Sequence, residues 1–256
     1  MKKVIFLSAL LLTHPLAGFH VGAGYSWNTI DETFNSHLYT NEDKSGQDRY
    51  KTNMNRFAPV VQLGHQFLLC NDWVIGILAQ WKYLDYHTPN VNSSRGQILP
   101  NATFSSINIF GPNVMRDFTS ITRLNNEVML LGCLGKQIME GYAYLGLGPV
   151  FFTASNRIYV TSVHTGGGNH LVSTSVKSHK TVWGGAAQAG YQYCLNSNYF
   201  INISYTYLQT GSSHFNNSVN AAILNGADNP GATTLFLSRA IKFSVQEFTF
   251  SMNLAF

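Results

Sequence analysis

The sequence predicts an all-β fold, an eight-stranded antiparallel up-and-down transmembrane barrel with short turns at one end and four long loops at the other. Three observations predict it. Eight runs of the chain alternate apolar and polar residues with the period of two that a half-buried strand requires. The gaps between runs alternate as well: "ND", "IME" and "LNSN" join three pairs, and about 25 to 35 residues separate the others. Short turns on one side and long loops on the other is the pattern of bacterial membrane barrels. Finally, only 11% of the 256 residues are charged, against about 25% in a typical soluble domain. Asn, Ser, Thr, Gly, Gln and Tyr make up the difference, a balance that suits strands and turns.

The first run, 18–28, sets Phe19, Val21, Ala23, Tyr25 and Trp27 against His20, Gly22, Gly24, Ser26 and Asn28. In the second, 56–70, Val61, Leu63, Phe67 and Leu69 oppose Gln62, Gly64 and Gln66. The third, 73–86, places Trp73, Ile75, Ile77, Ala79, Trp81 and Tyr83 opposite Gly76, Gln80 and Lys82. The fourth, 122–137, reads as Leu124, Val128, Leu130 and Leu134 against Arg123, Asn125 and Glu127. Both faces of the fifth, 141–154, are apolar, which leaves its orientation open. The sixth, 181–194, alternates Trp183, Ala187, Ala189, Tyr191 and Tyr193 with Gln188, Gly190 and Gln192. The seventh, 199–209, alternates Tyr199, Ile201, Ile203, Tyr205 and Tyr207 with Asn202, Ser204 and Thr206. In the last, 241–256, Phe248, Phe250, Met252, Leu254 and Phe256 alternate with Glu247, Thr249, Ser251, Asn253 and Ala255.

Each run is long enough to cross the hydrocarbon, for which a tilted strand needs ~9 to 11 residues. An even strand number returns both termini to one side. Aromatic residues sit at both ends of the runs, as expected of side chains at the two headgroup levels. The alternative, a soluble sandwich, would carry a charged outer face, whereas the polar face here is mostly Gly, Gln, Asn and Ser.

Residues 1–17 read as a secretory signal peptide, with Lys2 and Lys3 ahead of a short apolar stretch and small residues at Ala17 and Gly18. Residues 18–256 form the barrel domain. Loss of the signal removes two lysines and takes the formal charge from +4 to +2. No basic run remains that would suggest nucleic acid.

The signal, the eight runs and the closing "EFTFSMNLAF" together resemble the outer-membrane barrels of Gram-negative bacteria, and among them the eight-stranded OmpA-like and opacity-type surface antigens. The resemblance implies a place in the bacterial outer membrane, among its lipids and lipopolysaccharide. It also implies that Phe248, Phe250, Met252, Leu254 and Phe256 form the signal read by the barrel-assembly machinery. It carries no catalytic motif.

With this parity Arg56, Lys82, Arg123, Glu127 and Glu247 point into the lumen beside Gln62, Gln66, Gln80, Gln188 and Gln192. Buried charges need partners, so Glu127 and Glu247 are expected to pair with Arg123, Arg56 or Lys82 in a polar plug. His65 falls on the lipid face, a conflict that a bulge near Pro59 would remove. Neither His20 nor His65 has the serine two residues away that lipid A deacylases use, and Asp85 with His87 is a lone pair. Three of the loop histidines His37, His87, His164, His170, His179 and His214 share one loop, with no metal-site spacing. Cys70, Cys133 and Cys194 lie on non-neighbouring strands and are expected as free thiols. The sequence thus points to a surface protein with no cofactor, whose loops contact a host or the environment. A narrow pore and a lipid A-modifying enzyme are the alternatives.

Overall fold

The computed structural model describes residues 18–40, 45–87, 103–104, 114–164, 172–225 and 229–256. Residues 1–17, expected from the sequence to be a signal peptide, lie outside them. Strands β1 (Gly18–Thr40), β2 (Ser45–Leu68), β3 (Trp73–His87), β4 (Thr103–Phe104), β5 (Val114–Ile138), β6 (Gly141–His164), β7 (Val172–Cys194), β8 (Tyr199–Thr210), β9 (Ser213–Asn225) and β10 (Asn229–Ala255) follow in order. Eight of them, β1, β2, β3, β5, β6, β7, β8 and β10, form an antiparallel wall. Closure comes from β1 and β10, which pair from His20 with Ala255 to Thr40 with Leu235. The ring leaves no edge in the bilayer, where an unpaired backbone group costs several kcal/mol.

The turns at the lower end are built locally. Asn71 and Asp72 adopt φ of 62° and 65°, and Met139 a φ of 56°. Between β7 and β8 the Asn196 side chain accepts hydrogen bonds from the Asn198 and Tyr199 backbone N–H groups, both at 2.9 Å. At the other end the strands continue well past the alternating runs. β1 reaches Thr40 and β2 begins at Ser45, so most of the first long connection is strand. At ~3.3 Å per residue and a ~40° tilt, the piece of β1 past Trp27 rises roughly 30 Å above the outer aromatic level.

Two layers of opposite polarity are stacked in this one wall. In the lower layer the outward residues are apolar, among them Phe19, Tyr25, Leu63, Ile77, Leu145, Leu147, Phe250 and Met252. The inward ones are polar: Ser26, Asn28, Gln62, Gln80, Gln188, Asn202, Thr249, Ser251 and Asn253 are buried. Above Trp27, Trp81 and Trp183 the order reverses. Ile30, Phe34, Leu84, Val150, Phe152, Val182, Leu208, Phe243 and Val245 pack inside as one cluster. Asn53, Asn55, Thr153, His179, Thr181, Gln209 and Lys242 face outward.

The reversal is written in the chain as a one-residue slip of the apolar phase. On β1 the apolar positions are odd up to Trp27 and then even at Ile30 and Phe34; on β10 they are odd from Ile241 to Val245 and even from Phe248. The β1–β10 register runs unbroken through the slip, so the strand keeps its course and only the side-chain chemistry changes faces.

Candidate functional site

The lumen is filled rather than open. Low in the barrel, Tyr144 lies across the space above Gly190, where a Cβ would come within 2.6 Å of its ring. Its hydroxyl bonds the Gln188 and Asn202 carbonyl oxygens at 3.1 and 3.0 Å. Asn202 donates to Gln62 at 3.3 Å, and Ser251 donates to the same Gln62 oxygen at 2.8 Å. A cavity of about 10 Å³ beside Gln66, Cys133, Tyr144 and Gln192 has room for about one water.

At mid-height Lys82 on β3 stands directly opposite Glu127 on β5 and donates to it at 2.9 Å. It also donates to Glu247 of β10, across the lumen. All three side chains are buried. One ammonium thus ties three strands together under the apolar layer. Arg56 is half-buried on the same inner face, its register partner being the buried Asn28.

Arg123 departs from the sequence reading. It is exposed, while its neighbour Leu124 is fully buried in the apolar cluster. The cause is an irregularity: β5 slips register against β6 between Leu124 and Glu127, and against β3 between Tyr83 and Tyr86. An extra residue turns every later side chain to the other face. Leu124 therefore points inward despite sharing the sequence parity of Val128, and Arg123 plays no part in the lumen.

The expectation of a bulge near Pro59 is also corrected. β2 pairs with β1 and β3 without interruption through His65. His65 stays on the outer face, with ring centroids 4.2 Å from Phe19 and 4.3 Å from Phe67. This is a low aromatic girdle, mirrored at the upper level by Trp27 against Phe57 at 4.4 Å and Phe151 against Trp183 at 4.3 Å. The fifth run, left open by the sequence, is oriented with Tyr142, Tyr144, Val150 and Phe152 inward and Leu145 and Leu147 outward.

Sequence reasoning missed a second polar group, set among the side chains of the upper apolar cluster. Glu32, Tyr86 and Arg239 are buried there. The Tyr86 hydroxyl donates to Glu32 at 3.0 Å, and the Arg239 guanidinium lies 3.7 Å from the Phe34 ring centre. The phase slip past Trp27 is the signal that would have turned Glu32 inward.

Along the closing strand Phe248, Phe250, Met252 and Phe256 are exposed on the outer face, and Leu254 is half-exposed. Cys70 is exposed, Cys133 and Cys194 are partly buried, and none forms a disulfide. His87, His179 and His214 are exposed; His170 lies outside the described residues. Among the described residues, no three metal-ligating side chains come together.

A closed antiparallel barrel, apolar outside across one bilayer thickness and polar within, is an eight-stranded outer-membrane β-barrel. No protein-family model matches the chain, and no curated protein matches it. Similar solved structures include the outer membrane protein OprG of Pseudomonas aeruginosa, 15% identical over 96% of this chain and 99% of that one, with a TM-score of 0.46. The attachment invasion locus protein Ail of Yersinia pestis, solved with the heparin analogue sucrose octasulfate, is 14% identical over 91% and 99%, with a TM-score of 0.29. Neisserial surface protein A is 11% identical over 92% and 99%, with a TM-score of 0.30.

Proposed function

We infer that this barrel is a surface-binding protein, in the manner of an adhesin or surface antigen, rather than a pore or an enzyme. One observation carries the reading: the strands continue past the outer girdle as a β-stalk with a polar exterior and an interior packed mainly with apolar side chains. A stalk of this kind presents its tip to the surroundings. A conducting barrel would need a polar path along its axis, and the packed Ile30, Leu84, Phe152 and Phe243 layer opposes one. Planar-bilayer recordings should therefore show no steady conductance, with or without Lys82.

The outer apolar band takes up outer-membrane lipid, with lipopolysaccharide around the upper girdle. Phe248, Phe250, Met252, Leu254 and Phe256 serve as the assembly signal. Substituting Phe256→Ser is expected to lower the assembled fraction on heat-modifiability gels. The binding partner is a ligand on a host or neighbouring surface, held at the stalk's upper end. Deleting the outer connections one at a time, 41–44, 88–113, 165–171 and 226–228, and scoring attachment of expressing cells tests this. Attachment should fall for at least one deletion while the barrel still assembles; unchanged attachment in all four would end the adhesin reading.

A further inference from the structure

The outer face above the upper girdle is ordered in rows. β1 and its two neighbours hold one unbroken register from the girdle upward. Trp27 stands between Phe57 and Phe248, Thr29 between Asn55 and Gln246, Asp31 between Asn53 and Ser244, and Thr33 between Lys51 and Lys242. Lys51 and Lys242 are both exposed. Two strand spacings, roughly 10 Å, separate their backbones.

The same offset recurs around the wall. Lys177 lies six residues up β7 from Trp183, as Lys51 does from Phe57 on β2 and Lys242 from Phe248 on β10. On β3 His87 lies six residues up from Trp81, and Arg123 of β5 stands directly opposite His87. The irregularity that turned Arg123 out of the lumen thus sets it on this outer level. Arg123 and Lys177 are exposed too. In the closed order, β2, β5, β7 and β10 are every second strand. Four permanent cations are therefore spaced around the whole circumference at one height.

Among the described residues, no outward carboxylate shares that height. Asp31 and Asp85 each lie one outward position lower, and Asp31 accepts a hydrogen bond from Asn53 at 2.7 Å. None of the four cations is paired with a carboxylate among the described residues. Arg157, opposite Lys177, already has a partner within the protein and is not counted with them.

Height and symmetry together select the ligand. At ~3.3 Å per residue and a ~40° tilt, six residues rise roughly 15 Å above the aromatic level. The headgroup layer of a phospholipid leaflet is only about 5–7 Å deep, so the cations stand clear of it. A protein docking from outside meets one side of the barrel or its tip. Only something that surrounds the barrel meets all four sides at one level.

We propose that Lys51, Arg123, Lys177 and Lys242 form a ring that binds the anionic core sugars of the surrounding lipopolysaccharide, through phosphate or carboxylate groups carried above the lipid A headgroup. This rests on the placement of the outer apolar band in lipid and is independent of what the stalk's tip binds. Each Lys or Arg held near an anionic leaflet strengthens the attraction roughly fivefold, so loss of the whole ring should be easy to read.

The full-length protein in detergent micelles is titrated with fluorescent rough lipopolysaccharide, whose short core carries phosphate and carboxylate groups, with fluorescent lipid A, which lacks the core, and with fluorescent heparin. Lys51→Gln, Arg123→Gln, Lys177→Gln and Lys242→Gln together should weaken lipopolysaccharide binding at least tenfold and lipid A binding less than twofold. The folded band on a heat-modifiability gel checks the variant. If it fails that check, Lys51→Gln/Lys242→Gln replaces it, with a loss of at least threefold expected for lipopolysaccharide. Equal lipopolysaccharide binding by variant and wild type would overturn the proposal. So would an equal loss for lipid A, which would put the cations at the headgroup level, or a loss for heparin with none for lipopolysaccharide, which would make the ring a site for a soluble polyanion. Wild-type protein that takes up neither glycolipid would overturn the ring together with the lipid placement it rests on. The loop deletions leave all four residues in place, so attachment lost there bears on the tip alone.

Discussion

The lower and upper halves of this barrel use one backbone pattern and opposite side-chain rules. Below the upper girdle Leu63, Leu147 and Phe250 point out, while Gln62, Asn202 and Ser251 point in. Above it Phe152, Phe243 and Val245 point in, while Asn53, Thr153 and Lys242 point out. The difference teaches that the solvent decides which face is apolar, and the strand only offers two faces. In lipid the outside can be apolar and the interior must satisfy its own polar groups; in water the interior supplies the hydrophobic driving force.

The sharpest way to break the comparison is at its boundary. Replacing Lys82 by Met leaves Glu127 and Glu247 buried without their cation and should cost about 3–5 kcal/mol. The triple change Lys82→Met, Glu127→Gln, Glu247→Gln should recover most of that, since removing a whole buried network is often near neutral. Urea unfolding in micelles, followed by tryptophan fluorescence, reads both. In the upper half Phe152→Ala should cost a similar ~3–5 kcal/mol through the cavity it opens. Such a loss is expected of a soluble core and not of a water-filled lumen.

Charge insertion separates the halves by their outer faces. Leu63→Arg, near the middle of the lipid band, should destabilise by about 2–4 kcal/mol. Asn53→Arg, on the same strand and face but above the girdle, should stay within about 0.5 kcal/mol. The smallest effect belongs to Arg123→Ala, also within about 0.5 kcal/mol in the unfolding assay, because its side chain is exposed and outside the lumen network.

The lower half was legible in the sequence because its alternation is clean and its turns are short. The inward set Lys82, Glu127 and Glu247 followed from parity alone. What parity could not supply was a change of rule partway along a strand. On β10 the shift from Val245 to Phe248 places apolar residues on both parities, which reads as noise if a strand has one solvent. On β5 the irregularity at Asn125 and Asn126 coincides with the boundary, so Leu124 keeps step with Val128 in sequence while facing the other way. That coincidence is why Arg123 read as a lumen residue. Glu32 and Arg239 were hidden for a related reason: they lie beyond the runs, in stretches rich in Asn, Ser and Thr that resemble loop.

The reversal itself is measured most directly by nitroxide scanning of outward positions on β10. In a background with Cys70, Cys133 and Cys194 changed to Ser, single labels are placed at Lys242, Gln246, Phe248, Phe250 and Met252 of the protein in lipid bilayers. Collision with oxygen should dominate at Phe250 and Met252, and collision with a water-soluble nickel complex at Lys242 and Gln246, with the crossover at Phe248. A profile that favours oxygen at all five positions, or nickel at all five, would contradict the account.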